Sequence, residues 1–134
     1  MEKLEHIGIA VKDLRTANAL FSSLLGSEPY KVEEVESEGV RTSFFKISGV
    51  KIELLESTRP DSAIARFIEK RGEGIHHLAF EVGNIESSID DYEAKGFQLI
   101  NKMPKAGADN KQIAFLHPKS TQGVLIELCQ EIRK

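Results

Sequence analysis

The chain has 134 residues, 40% of them hydrophobic and 29% charged, and a formal net charge of −3. That length supports one well-buried domain and is too short for two ordinary ones. The acidic balance argues against nucleic acid or an anionic membrane as a partner, and no apolar run approaches the ~20 residues of a membrane span.

In chain order, Met1–His6 enters a strand pattern at once, which reads as a cytoplasmic protein with no signal peptide. His6–Val11 alternates, with His6, Gly8 and Ala10 on one face and Ile7, Ile9 and Val11 on the other. The isoleucine face calls for a core, whereas the small residues beside His6 suit the floor of a cavity. Asp13 is placed to cap a helix whose apolar stripe is Leu14, Ala17, Phe21, Leu24 and Leu25, with Gly26 as its left-handed end. Tyr30–Ser37 predicts a strand without a clear register. Ser37-Glu38-Gly39 is a turn, Val40–Ile47 a strand, Ser48-Gly49 a second turn, and Val50–Glu56 a third strand. Asp61-Ser62 opens a short connector helix carrying Ile64, Phe67 and Ile68 and ending near Gly72.

The pattern then begins again. His77, Ala79 and Glu81 share one strand face, while Leu78, Phe80 and Val82 share the other. Asn84 caps a helix with Ile85, Ile89 and Tyr92, which Gly96 ends. Phe97–Lys102 predicts a strand, a glycine-containing loop runs through Asn110, and Gln112–Leu116 and Gly123–Gln130 complete the unit. Cys129, the single cysteine, lies in this last apolar run and reads as a buried thiol.

Corresponding residues of the two units stand about 70 positions apart, a duplicated half-domain rather than a solenoid, whose periods run ~20–50 residues. Each half reads as βαβββ. The expected architecture is α+β, two βαβββ modules forming a curved, cleft-containing mixed sheet. It is one domain over residues 1–134, with module 1 at about 1–58, the connector at about 59–73 and module 2 at about 74–134.

Four residues fall at matching places in the repeat: His6 and His77 near the strand starts, Glu53 and Glu127 each inside an Ile-Glu-Leu run. Singly, a strand histidine is more often capped or exposed than a ligand, and a strand glutamate more often faces solvent. Together, two imidazoles and two carboxylates make a nitrogen–oxygen donor set suited to Mn, Co, Ni, Fe or Zn, with two octahedral positions left for water or a chelating substrate. His76 is on the opposite face from His77 and reads as structural, and His117, before Pro118, as a turn residue. Lys119 and Ser120 lie in the loop before the Glu127 strand and could meet an anionic group, though a solvated loop is the default. No glycine-rich phosphate loop, nucleophile elbow or cysteine cluster is present.

These residues resemble the vicinal oxygen chelate (glyoxalase/bleomycin resistance protein/dioxygenase) superfamily, which includes glyoxalase I and extradiol dioxygenases. Within it, His6-Ile7-Gly8-Ile9-Ala10-Val11, Gly74-Ile75-His76-His77-Leu78-Ala79, Phe115-Leu116-His117-Pro118-Lys119-Ser120 and Gly123-Val124-Leu125-Ile126-Glu127-Leu128 are similar to the methylmalonyl-CoA epimerases. The resemblance implies an isomerase that interconverts the R and S epimers of methylmalonyl-CoA in propionyl-CoA metabolism, by α-proton transfer through a metal-stabilised enolate. It implies His6, Glu53, His77 and Glu127 as ligands of a divalent ion (Co, Mn, Ni, Zn or Mg), Glu127 as an acid/base, an acyl-CoA substrate and a homodimer. Some family members carry a second glutamate where Thr42 stands here, so the second acid/base is open. Others carry Gln at the place of Glu53, whose extra charge predicts tighter metal binding. A glyoxalase-type isomerase or lyase would use the same four ligands. A dioxygenase uses two histidines and one glutamate, and a small-molecule-sequestering module usually lacks the ligands.

Overall fold

The computed structural model describes residues 1–132. The chain divides into two compact units, His6–His76 and Met1–Glu5 together with the chain from His77 onward. Each runs in the predicted order.

In the first unit, β1 (Lys3–Ala10, from His6 on) is followed by α1 (Leu14–Leu25), β2 (Lys31–Val35), β3 (Val40–Ile47), β4 (Val50–Ser57) and α2 (Ala63–Arg71). β1 pairs in parallel with β4, β4 antiparallel with β3, and β3 antiparallel with β2. The register sorts the side chains into two faces. His6, Gly8 and Ala10 lie with Lys51, Glu53 and Leu55, with Thr42 and Phe44, and with Lys31 and Glu33.

The other face is the core. Val11, Leu14, Phe45 and Leu54 are buried there, with Ala17, Phe21 and Leu25 of α1 against them. Asp13 caps α1 as expected, accepting from the Arg15 N–H at 3.2 Å, and Gly26 ends it at φ 76°. Ser62 accepts from the Ala65 N–H at 3.0 Å to start α2. This helix then packs Ile64 on Ala10, Val40 and Leu55, covering one end of the face that carries His6.

The turn between β2 and β3 is a short 3-10 segment ending at Gly39, whose φ of 67° suits glycine. A Cβ there would come within 2.9 Å of the Arg59 side chain. That guanidinium donates to the Glu36 and Ser37 carbonyls at 2.8 and 3.3 Å and pairs with Asp61 at 2.9 Å. Glycine therefore suits this turn, and the turn sets where β3 begins to pair with β2.

In the second unit, β5 (Gly74–Glu81, from His77 on) is followed by α3 (Ile85–Ala94), β6 (Lys105–Ala106), β7 (Lys111–Leu116) and β8 (Ile126–Glu131). β5 pairs in parallel with β8, β8 antiparallel with β7, and β7 with β6. Val82, Ile85, Ile89, Leu99, Ala114, Leu116 and Leu128 form the core under α3. Asn84 caps that helix through the Ser87 N–H at 3.0 Å.

Two predicted strands differ. Phe97–Lys102 is not a strand. It runs beside β7 through one bridge, Leu99 to Leu116, and at the next place the Asn101 side chain accepts from the Phe115 N–H at 3.0 Å, where a backbone rung would continue a ladder. The two-residue β6 takes the edge instead. The last strand begins at Ile126 rather than Gly123, because Gln122 and Gly123 have φ of 59° and 86° and the Gly123 N–H turns back to Pro118. Among the described residues no helix is long and apolar enough to cross a membrane.

Candidate active site

His6 and Glu53 stand on adjacent parallel strands of the first unit. Glu53 is in register with Gly8, two residues past the histidine, so both side chains share a face and the glycine between leaves room for them. His6 Nδ1 lies 3.1 Å from Glu53 Oε2, and both residues are 4% exposed. Across the other neighbour, Phe44 is directly opposite Glu53.

The second unit repeats this placement. Glu127 is in register with Ala79, two residues past His77, and Phe115 is directly opposite Glu127. His77 Nε2 lies 3.4 Å from Glu127 Oε1, both residues being 5% exposed. The His77 ring meets Phe115 edge to face, with centroids 6.0 Å apart. Each unit thus brings together the histidine and glutamate that the repeat singled out. The aromatic pair Phe44 and Phe115 was not singled out, although its spacing of about 70 residues was a signal of the same kind.

A carboxylate buried among apolar strands is costly without compensation, several kcal/mol when unpaired. At 3.1–3.4 Å an imidazole nitrogen and a carboxylate oxygen satisfy each other only with a proton or a cation shared between them. Both donors are deprotonated when they bind a metal, and a set of imidazole nitrogens and carboxylate oxygens suits a borderline divalent ion.

His76 faces away from these groups, as expected. It packs edge-on against Phe67 of α2, centroids 5.0 Å apart, and burial lowers its pKa to about 4, so it is neutral at pH 7. Cys129 shares the Glu127 face, packed with Ala79 and Ile113. Burial, and then the Glu127 charge, push its thiol well above the ordinary range, which leaves it a packing residue rather than a nucleophile.

Lys119 and Ser120 form part of a 3-10 turn, Pro118–Ser120. The His117 Nδ1 accepts from the Lys119 N–H at 3.0 Å, so His117 caps this turn. Ser120 Oγ donates to the His117 carbonyl at 2.9 Å and accepts from the Gln98 N–H at 3.1 Å, fastening the loop to the segment before β6. The Lys119 side chain is exposed.

Residues 5–115 match the model of the glyoxalase/bleomycin resistance protein/dioxygenase superfamily. The chain is 37% identical to the mitochondrial methylmalonyl-CoA epimerase of Homo sapiens, over 96% of its own length and 73% of the relative's. It is 38% identical to the ethylmalonyl-CoA/methylmalonyl-CoA epimerase of Cereibacter sphaeroides, over 96% and 97% of the two chains. A methylmalonyl-CoA epimerase variant of Streptomyces coelicolor, solved with 2-nitronate-propionyl-CoA, superposes with a TM-score of 0.93 at 36% identity, covering 98% of this chain and 95% of that one. The repeat, the matched His–Glu pairs and these likenesses place the chain in the glyoxalase/bleomycin resistance protein/dioxygenase superfamily, and within it the chain belongs to the family of the methylmalonyl-CoA epimerases.

Proposed function

We propose that the protein is a divalent-metal-dependent epimerase interconverting the R and S forms of methylmalonyl-CoA. The observation that carries this reading is the buried histidine–carboxylate pair, set in the same strand register in both units. The human and Cereibacter sphaeroides relatives are named for this activity, and a solved relative is a complex with methylmalonyl-CoA.

In this reading His6, Glu53, His77 and Glu127 are the ligands. When bound, the ion supplies a Lewis acid that draws off the negative charge developing on the thioester oxygen. The protein's own groups move the proton. The hydrogen between a thioester and a carboxylate is acidic for carbon, yet beyond unaided removal at neutral pH. Glu127 serves one face of that carbon: the C–H bond breaks toward its carboxylate as the electron pair moves toward the thioester oxygen, and a proton delivered to the other face gives the opposite epimer. Phe44 and Phe115, each opposite a ligand glutamate, keep bulk water from the carboxylates, where charge interactions are then stronger. The working form is taken to be a cytoplasmic homodimer, which sedimentation of the purified protein checks for assembly.

The test is an incubation of metal-reconstituted protein with a single epimer in deuterated water. Deuterium should enter the α-carbon as chirality is lost. No exchange with any of Co, Mn, Ni, Zn or Mg would sink the reading.

A further inference from the structure

Inverting a carbon by proton transfer needs a group on each of its faces, because one group that returns the proton it took regenerates the starting epimer. Glu127 serves one face in the reading above, on which this inference rests. The ligand face of the first unit carries a candidate for the second group.

Two side-chain rows cross that face from the edge strand inward, Lys31–Phe44–Glu53–Gly8 and Glu33–Thr42–Leu55–Ala10. Its carboxylates on β2, β3 and β4 are Glu53, a ligand, and Glu33. The neighbouring Glu34 and Glu56 lie on the opposite face, tied to Arg41 at 3.1 and 3.0 Å.

Glu33 is directly opposite Thr42 across β2 and β3. Directly opposed residues in an antiparallel pair have Cβ atoms about 5 Å apart, so a glutamate reaches over a side chain as short as threonine. Thr42 is fully buried, and its Oγ1 has no hydrogen-bond partner among the described residues. Such a hydroxyl is destabilising until an acceptor meets it. Lys31, on the same face of β2, is 3.2 Å from Glu33 Oε1 and holds its ammonium 4.9 Å from the centre of the Phe44 ring. The glutamate is therefore oriented from the side nearest the Glu53 row. Its side chain is 33% exposed, which gives a path for proton exchange with solvent.

We propose that Glu33 is the second acid/base of the epimerisation, and that Thr42 is a positioning residue whose hydroxyl donates to the Glu33 carboxylate when it turns inward. In one direction the Cα–H bond breaks, its proton passes to a Glu33 oxygen, and the electron pair moves to the thioester oxygen. Protonated Glu127 then delivers its proton to the other side as the pair returns, and a new Cα–H bond forms. No oxidant or co-reactant enters.

The experiment uses the metal-loaded full chain and each epimer separately in deuterated water, with metal content and circular dichroism read on every variant. Wild-type protein exchanges both epimers and interconverts them. Its failure to exchange either overturns the proposed function, and with it any role of Glu33 in epimerisation. Glu33→Gln should slow interconversion by about 100-fold or more, yet still exchange deuterium into one epimer with retention, through Glu127. Thr42→Val should slow the same step about tenfold, with the effect on kcat rather than KM. Thr42→Glu added to Glu33→Gln should restore interconversion in part, and Glu34→Gln should change nothing. Glu33→Gln protein that interconverts at the wild-type rate, or that loses exchange of both epimers equally while folded and loaded, overturns the proposal.

Discussion

The first unit carries on its ligand face an outer row of Glu33 and Thr42, leading in to Leu55 beside Glu53. At the corresponding places the second unit has Lys105 and Ile113, leading in to Cys129 beside Glu127. Around that difference the two units agree closely. In both, the glutamate is in register with the residue two beyond the histidine, and a phenylalanine stands opposite it. The agreement and the difference separate two demands. An ion calls for imidazole and carboxylate donors, and each unit carries one of each in the same strand register. Inverting a stereocentre requires an acid/base on each face of the carbon, because the proton leaves by one side and arrives from the other. In the proposed reaction the inner row of the first unit meets the first demand, through Glu53, and the outer row the second, through Glu33.

The largest effects should come from breaking the agreement. His6→Ala and His77→Ala should each abolish stoichiometric metal uptake and lower exchange by about 1,000-fold or more, measured by metal content and deuterium incorporation. The effects should be equal in the two halves, since the paired residues are equally buried. His76→Leu, one residue from His77 on the other strand face, should leave metal content at the wild-type level. If metal survives His77→Ala, the ligand assignment is wrong.

The carboxylates should separate the halves. Glu53→Gln and Glu127→Gln each remove one negative charge, and each should weaken divalent-ion binding on the order of tenfold. Saturated with metal, Glu53→Gln should retain deuterium exchange into both epimers, whereas Glu127→Gln should lose exchange on its own face. Equal metal affinity of Glu53→Gln and wild type in a titration would refute the tighter binding that the charge of Glu53 predicts.

How much of this the sequence disclosed follows from how local the signals are. His6, Glu53, His77 and Glu127 lie on strands with clean alternation, and duplication shows each of them twice, so both pairs were legible. The helix starts at Asp13, Ser62 and Asn84 were legible too, because capping is a contact within a few residues. The place of Glu33 was not. Tyr30–Ser37 does not alternate strictly, and the β2 register is set by the Gly39 turn and the Arg59 clamp from beyond β4. Phe97–Lys102 failed for a related reason: its propensity suits a strand, but the side chain of Asn101 bonds the Phe115 N–H and ends the ladder.

The smallest expected effect is on stability, and its sign differs between the halves. Thr42 and Ile113 occupy corresponding places, each directly across from the residue two beyond its unit's ligand glutamate, and both are buried. Thr42→Val removes a hydroxyl that has no partner among the described residues, so it should raise stability by about 1 kcal/mol while slowing interconversion. Ile113→Thr places such a hydroxyl among Ala79, Cys129 and Phe115 and removes apolar contact, so it should lower stability by about 2 kcal/mol. Thermal melts of the metal-free protein should therefore move in opposite directions, by a few degrees each. If Thr42→Val destabilises as much as Ile113→Thr, the Thr42 hydroxyl already has an acceptor in the resting protein. It would then be a packing group like its counterpart, and the asymmetry of the outer row would rest on Glu33 alone.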